Sequence, residues 1–110
     1  MTQEYMKDYE NINACLERQD YEGAANHIAL FEQHKNSSTS IAIMARVSFA
    51  AAMVAGMKRD LSRANSLLNE VINISPEPEL REMARQQIAE TKKNIYDAIN
   101  DVMKRYKEEH

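Results

Sequence analysis

The sequence predicts an all-α protein: two antiparallel helix hairpins followed by one long C-terminal helix. Three observations carry that expectation. Apolar residues recur at helical spacing along most of the chain, and no stretch alternates cleanly at period two. Two Gly and two Pro leave little material for tight β-turns. The chain also echoes itself: Ala24, Ile28 and Phe31 follow Asp20 at the same offsets at which Ala64, Leu68 and Val71 follow Asp60. A spacing used twice in one chain marks one supersecondary unit used twice.

The first helix is expected from about Thr2 to Arg18. Thr2 can cap it, and Glu4 suits the positive end of the helix dipole. Tyr5, Met6, Tyr9, Ile12, Cys15 and Leu16 form its apolar side. Asp20 caps the second helix, which runs to about Lys35 with Ala24, His27, Ile28, Phe31 and His34 on its inner side. Gly23 falls in its first turn, where a glycine costs less than in mid-helix. These elements make hairpin one, about residues 2–35.

Asn36-Ser37-Ser38-Thr39 is a polar loop. Ser40 can cap a third helix over Ile41–Met57, and Lys58 and Arg59 suit its C-terminus. This apolar, Ala-rich run contains Arg46 and Ser48 and falls short of the ~20 residues that span a bilayer. It predicts a helix buried on most sides. Asp60 caps a fourth helix, Leu61 to Ile74, completing hairpin two, about residues 40–74. Ser75-Pro76-Glu77-Pro78 then breaks the chain, because the residue before each proline is pushed out of the α region.

The fifth helix starts near Pro78, which is tolerated at a first helical position, and extends to about residue 108. Its stripe passes from Leu80, Met83, Ala84 and Ile88 to Ile95, Ala98, Ile99, Val102, Met103 and Tyr106. Glu90-Thr91-Lys92-Lys93-Asn94 interrupts it, so the helix either bends there or packs its second half on something different. Thirty helical residues reach about 45 Å, whereas a domain of this size is about 30 Å across. The end of this helix is therefore expected to overhang, fold back, or pack on another chain.

A chain of 110 residues predicts a single helical domain spanning 1–110. Apolar residues make up 44% and charged residues 28%, which suits a folded rather than a disordered chain. The net charge is −3, and residues 1–57 carry all of it, with four Lys/Arg against seven Asp/Glu. No concentrated basic face is available for phosphates, which argues against nucleic acid. Cys15 is the only cysteine, which fits a reducing, cytoplasmic setting. The polar, acidic start of the chain does not look like a signal peptide, and no membrane segment is expected.

The second hairpin resembles a tetratricopeptide repeat. Small Ala64 stands four after Asp60, bulky Leu68 eight after, and Pro76 sixteen after, while Ala52 and Ala55 in the preceding helix suit a close helix–helix approach. The match is best over residues 45–76. In the first hairpin Ala24 and Ile28 fit, but Ile12 stands where the family favours a small residue and Cys15 where it favours an aromatic. The two turns are 40 residues apart, against the family period of 34. The resemblance implies that the first helix of each hairpin lines a concave surface for a peptide or helix. Tyr9 and Asn13 on helix one, and Arg46, Phe49 and Met53 on helix three, would then contact the partner. With Arg46 as the one cation among them, a carboxylate clamp is not supported, and an amphipathic helix suits these residues better.

Enzymatic chemistry finds little footing. His27 and His34 lie about 10.5 Å apart along one helix, and no metal-ligand spacing joins them to a third ligand. Cys15 sits in an apolar stripe and is expected as a small core residue. Two glycines cannot build a phosphate-cradling loop. Carboxylates pair with bases on solvated faces, as in Glu32–Lys35 and Asp101–Arg105. No catalytic residue, cofactor or metal is therefore assigned. Ala52-x-x-x-Gly56 resembles a helix-turn-helix turn, but Ser62 occupies the place where a recognition helix needs a bulky apolar residue.

The expected function is a non-enzymatic protein–protein interaction module, a small chaperone or adaptor. One alternative is a structural homo-oligomer with Ile95, Ile99, Val102, Met103 and Tyr106 as its seam. A transcriptional regulator is a further alternative.

Overall fold

The computed structural model describes residues 4–109, which form five helices and, among the described residues, no strand. They are α1 (Glu4–Glu17), α2 (Tyr21–His34), α3 (Ile41–Met57), α4 (Leu61–Ile74) and α5 (Pro78–Glu109). The expected Thr2 cap lies outside the described residues. Helices α1 and α2 pack as one antiparallel hairpin, and α3 and α4 as the next. Helix α3 also meets α1 and α2, and α5 packs on α4.

The echo between Asp20 and Asp60 is a repeated turn in three dimensions. Gln19 and Arg59 both take left-handed backbone, at φ 58° and 63°. The N–H of Gln19 donates to the Leu16 carbonyl and that of Asp20 to the Cys15 carbonyl; forty residues on, Arg59 donates to Gly56 and Asp60 to Ala55. This six-to-one plus five-to-two pairing satisfies the last carbonyls of α1 and α3. Each aspartate then turns its side chain back onto the next helix. Asp20 accepts from the Gly23 N–H at 2.9 Å, and Asp60 from the Arg63 N–H at 3.2 Å. A Cβ at position 23 would run into the Asp20 carboxylate, so glycine there permits the closer cap.

Ser40 occupies the N-cap position of α3, but its side chain makes no capping hydrogen bond. The loop before it is held internally: Thr39 Oγ1 accepts from the Asn36 N–H, and Asn36 Oδ1 from the Ser38 N–H, both at 2.8 Å. Before α5, Ser75 is buried, and its Oγ accepts from the Glu77 N–H at 3.1 Å. The Arg81 guanidinium donates to the Ser75 carbonyl at 2.7 Å, which fixes the proline-rich link.

The core has three unequal parts. Tyr5, Ile12, Phe31, Val47 and Ala50 fill the region shared by α1, α2 and α3, with the Tyr5 and Phe31 rings edge to face at 6.1 Å. Ala52, Leu68, Val71 and Ala84 form the part between α3, α4 and α5. Cys15 is a buried core residue beside Ala24 and Val54.

Helix α5 runs unbroken through Glu90–Asn94. Its first half is seated by Leu80, Ala84 and Ile88. From Lys92 to Glu108 every residue is exposed. The described chain therefore measures 68 × 27 × 20 Å, with a radius of gyration of 17.0 Å, against about 13 Å for a compact domain of this length.

Candidate protein-docking site

Side-chain volume along α3 and α4 leaves a groove. Where α5 crosses the end of the second hairpin, a cavity of about 280 Å³ opens between α3 and α5, with α4 as its floor. Ala52, Ala64 and Leu68 line its depth, and Phe49, Met53, Met57 and Leu61 line its sides. Gln87 and Thr91 of α5 and Tyr21 at the start of α2 complete the wall, so no charged side chain lines it. Met53, Met57 and Leu61 are 47%, 59% and 41% exposed, which is unusual for three neighbouring bulky apolar residues.

The structure divides the five residues expected to meet a partner. Phe49 and Met53 line the groove. Asn13 is exposed on α1. Tyr9 and Arg46 belong to a polar bridge instead: Arg46 Nη1 donates to the Tyr9 hydroxyl at 3.1 Å. Its Nε and Nη2 donate to the two carboxylate oxygens of Glu77, at 2.8 and 2.7 Å. The hydrogen bonds to Glu77 and Tyr9 raise the pKa of Arg46, and the guanidinium in turn holds the Glu77 carboxyl below the usual carboxylate range. The cation expected on the concave face is thus already paired with an anion of the same chain. The bridge ties α1 to α3 and to the link before α5.

A second polar contact closes the first hairpin. His34 Nδ1 meets Asp8 Oδ2 at 2.6 Å, and its Nε2 meets Glu4 Oε2 at 3.2 Å. Asp8 is buried, and its hydrogen bond is the main cause of a raised His34 pKa, with Coulombic help from both carboxylates. The carboxylates take opposite ring nitrogens and so do not converge on one point. Among the described residues, no three His, Cys, Asp or Glu side chains are placed to hold a metal ion. No described helix is long and apolar enough to cross a membrane.

Several members of the site were not assigned to a partner surface from sequence. Met57, Leu61 and Gly56 flank the second turn, and Gln87 and Thr91 mark where α5 leaves the body. A signal for them did exist. At a shift of 40 residues, Ile12 becomes Ala52 and Leu16 becomes Gly56, while Asn13 and Glu17 become Met53 and Met57. The second hairpin has lost volume where the first is filled, and gained apolar residues where the first is polar.

Fold and groove together define a protein whose described residues form five helices: two like hairpins, an uncharged apolar furrow on the second, and a projecting terminal helix. No protein-family model, no curated protein and no solved structure matches the chain.

Proposed function

We propose that this chain is a non-enzymatic interaction module of tetratricopeptide-like type, a small cytoplasmic chaperone or adaptor that receives an amphipathic helix of a protein partner. The groove between α3 and α5 carries the proposal. It is uncharged, its rim is Met53, Met57 and Leu61, and its depth is set by Ala52 and Ala64. An apolar helix face anchored by one or two large side chains has the complementary chemistry. Unbranched methionines on the rim can adjust to more than one such face. The repeated turn, the buried alanines Ala24 and Ala64, and the single free, buried Cys15 support the family likeness and the reducing setting.

The test is fluorescence anisotropy with a labelled amphipathic helical peptide bearing Leu at i, i+3, i+4 and i+7. It is read in the Ile99→Glu chain, so that the chain's own exposed stripe does not compete. Met53→Glu added to that chain should weaken binding at least tenfold, which is about 1.4 kcal/mol. Tyr9→Phe, outside the groove, should leave it unchanged. Absence of binding, or binding indifferent to Met53→Glu, contradicts the proposal.

A further inference from the structure

Beyond Thr91, α5 is a one-sided helix, and its residues from Lys92 to Glu108 are all exposed. Ile95, Ile99, Val102 and Met103 are 42%, 56%, 63% and 55% exposed. Ile95, Ile99 and Val102 continue the face that Ala84 and Ile88 press onto α4 (spacings of four, seven, four and three residues from Ala84 onward). Lys93, Asp97, Lys104 and Glu108 occupy the opposite, solvated face. A helix with this division gains most of its stability from burying the apolar stripe, not from propensity alone.

The same molecule therefore carries both halves of a contact: an uncharged groove and an exposed apolar helix beginning at the groove's edge. We propose that the helix received by the groove is the distal half of α5 from a second copy of this chain, in an antiparallel α5–α5 pair. This rests on the helix-accepting groove proposed above and names its occupant.

Length fixes the register. Thr91 lies on the groove wall, and Met103 stands twelve residues further, about 18 Å along the helix. Aligning Met103 of one copy with Thr91 of the other puts the two-fold axis beside residue 97. The two α5 helices then lie side by side, and the stripe of each copy faces the other's groove, with Met103 at the level of Thr91. The contact is isologous and closes at two copies. Its area is adequate: taking about 200 Å² for a large apolar residue, the four stripe residues and the three rim residues expose on the order of 700 Å² per copy. A standard interface buries about 800 Å² per partner. The groove walls hold no charge that would need desolvation.

The experiment is sedimentation velocity on the full chain across a dilution series from high to low micromolar. The wild type should be a dimer that dissociates on dilution. Ile99→Glu on the stripe and Met53→Glu on the groove should each raise the dissociation constant at least tenfold. Lys93→Glu on the solvated face should not move it. Because Ile99 and Met53 are half exposed, circular dichroism should show each variant folded. A nitroxide on Lys107→Cys should lie about 30 Å from its counterpart in this register, with buried Cys15 unlabelled. A wild type monomeric throughout, a dimer that survives either Glu substitution, or a short 107–107 distance typical of parallel helices would overturn the proposal. Peptide binding to the Ile99→Glu chain separates the cases. If it persists in a chain that never dimerises, only the second copy is the wrong occupant; if it is absent, the groove itself fails.

Discussion

The two hairpins share a backbone and differ in what they do with it. Their turns match in left-handed residue, in capping aspartate and in hydrogen-bond pattern, forty residues apart. Hairpin one is filled: Ile12 and Phe31 are 1% exposed, and His34 with Asp8 latches α1 to α2. Hairpin two is hollowed: Ala52 and Gly56 stand at the equivalents of Ile12 and Leu16, and Val71 at that of Phe31. At these positions one template thus holds a filled interior or a groove, and side-chain volume decides which.

Transplanting hairpin-one residues into hairpin two should erase that difference. The triple substitution Met53→Asn/Gly56→Leu/Met57→Glu restores the residues found at 13, 16 and 17. A Cβ at Gly56 meets nothing within 4 Å, so the leucine has room to enter the groove. Peptide binding should fall by two orders of magnitude or more, about 2.7 kcal/mol, with helicity by circular dichroism retained.

Removing volume instead should hurt the filled hairpin more. Phe31→Ala should cost about 3–5 kcal/mol in chemical denaturation. Leu68→Ala, at the floor of an existing groove, should cost about 2–3 kcal/mol, the low end for a buried leucine. Equal losses would mean that the two hairpins are equally packed.

The turns sharpen the comparison further. Asp20→Ala and Asp60→Ala should each cost about 1 kcal/mol, with the shorter Asp20 cap losing more. Gly56→Ala should gain about 0.5–1 kcal/mol from helix propensity alone. Gly23→Ala should gain little, because the new methyl displaces the Asp20 carboxylate.

The smallest effect is the pH response of the latch. Asp8 and Glu4 raise the His34 pKa above its ordinary 6.5, so the folded state holds the proton more tightly than the unfolded chain. That contribution is fully present below pH 6.5 and fades as pH rises through the raised folded value. Thermal melts across that range should show the dependence in the wild type and its loss in His34→Gln. An unchanged dependence would mean that the latch is not the cause.

Much of the architecture was legible in sequence because local signals set it. Asp20, Asp60 and Pro78 fix helix starts through groups within a few residues of themselves, and the observed bounds of α2 to α5 follow them closely. Ser40 departs from that rule: its side chain makes no capping hydrogen bond, and Asn36 and Thr39 hold only the loop before it. The polar bridges were not legible. Arg46–Glu77 and His34–Asp8 join residues 31 and 26 positions apart, and no local pattern encodes them. The groove was half legible: Phe49 and Met53 stood out as bulky residues on an inner face, whereas Gly56 gains meaning only beside Leu16 of the other hairpin.

The most direct measurement uses the chain's own methionines. Methyl-labelled Met gives separate NMR signals for Met53 and Met57 on the groove and for Met6 and Met44 beside the filled core. Titrating the amphipathic peptide into the Ile99→Glu chain should shift Met53 and Met57 while Met6 and Met44 stay in place. Shifts at Met6 and Met44 with Met53 and Met57 silent would place the receptive surface beside the filled core instead of at the groove and contradict the account.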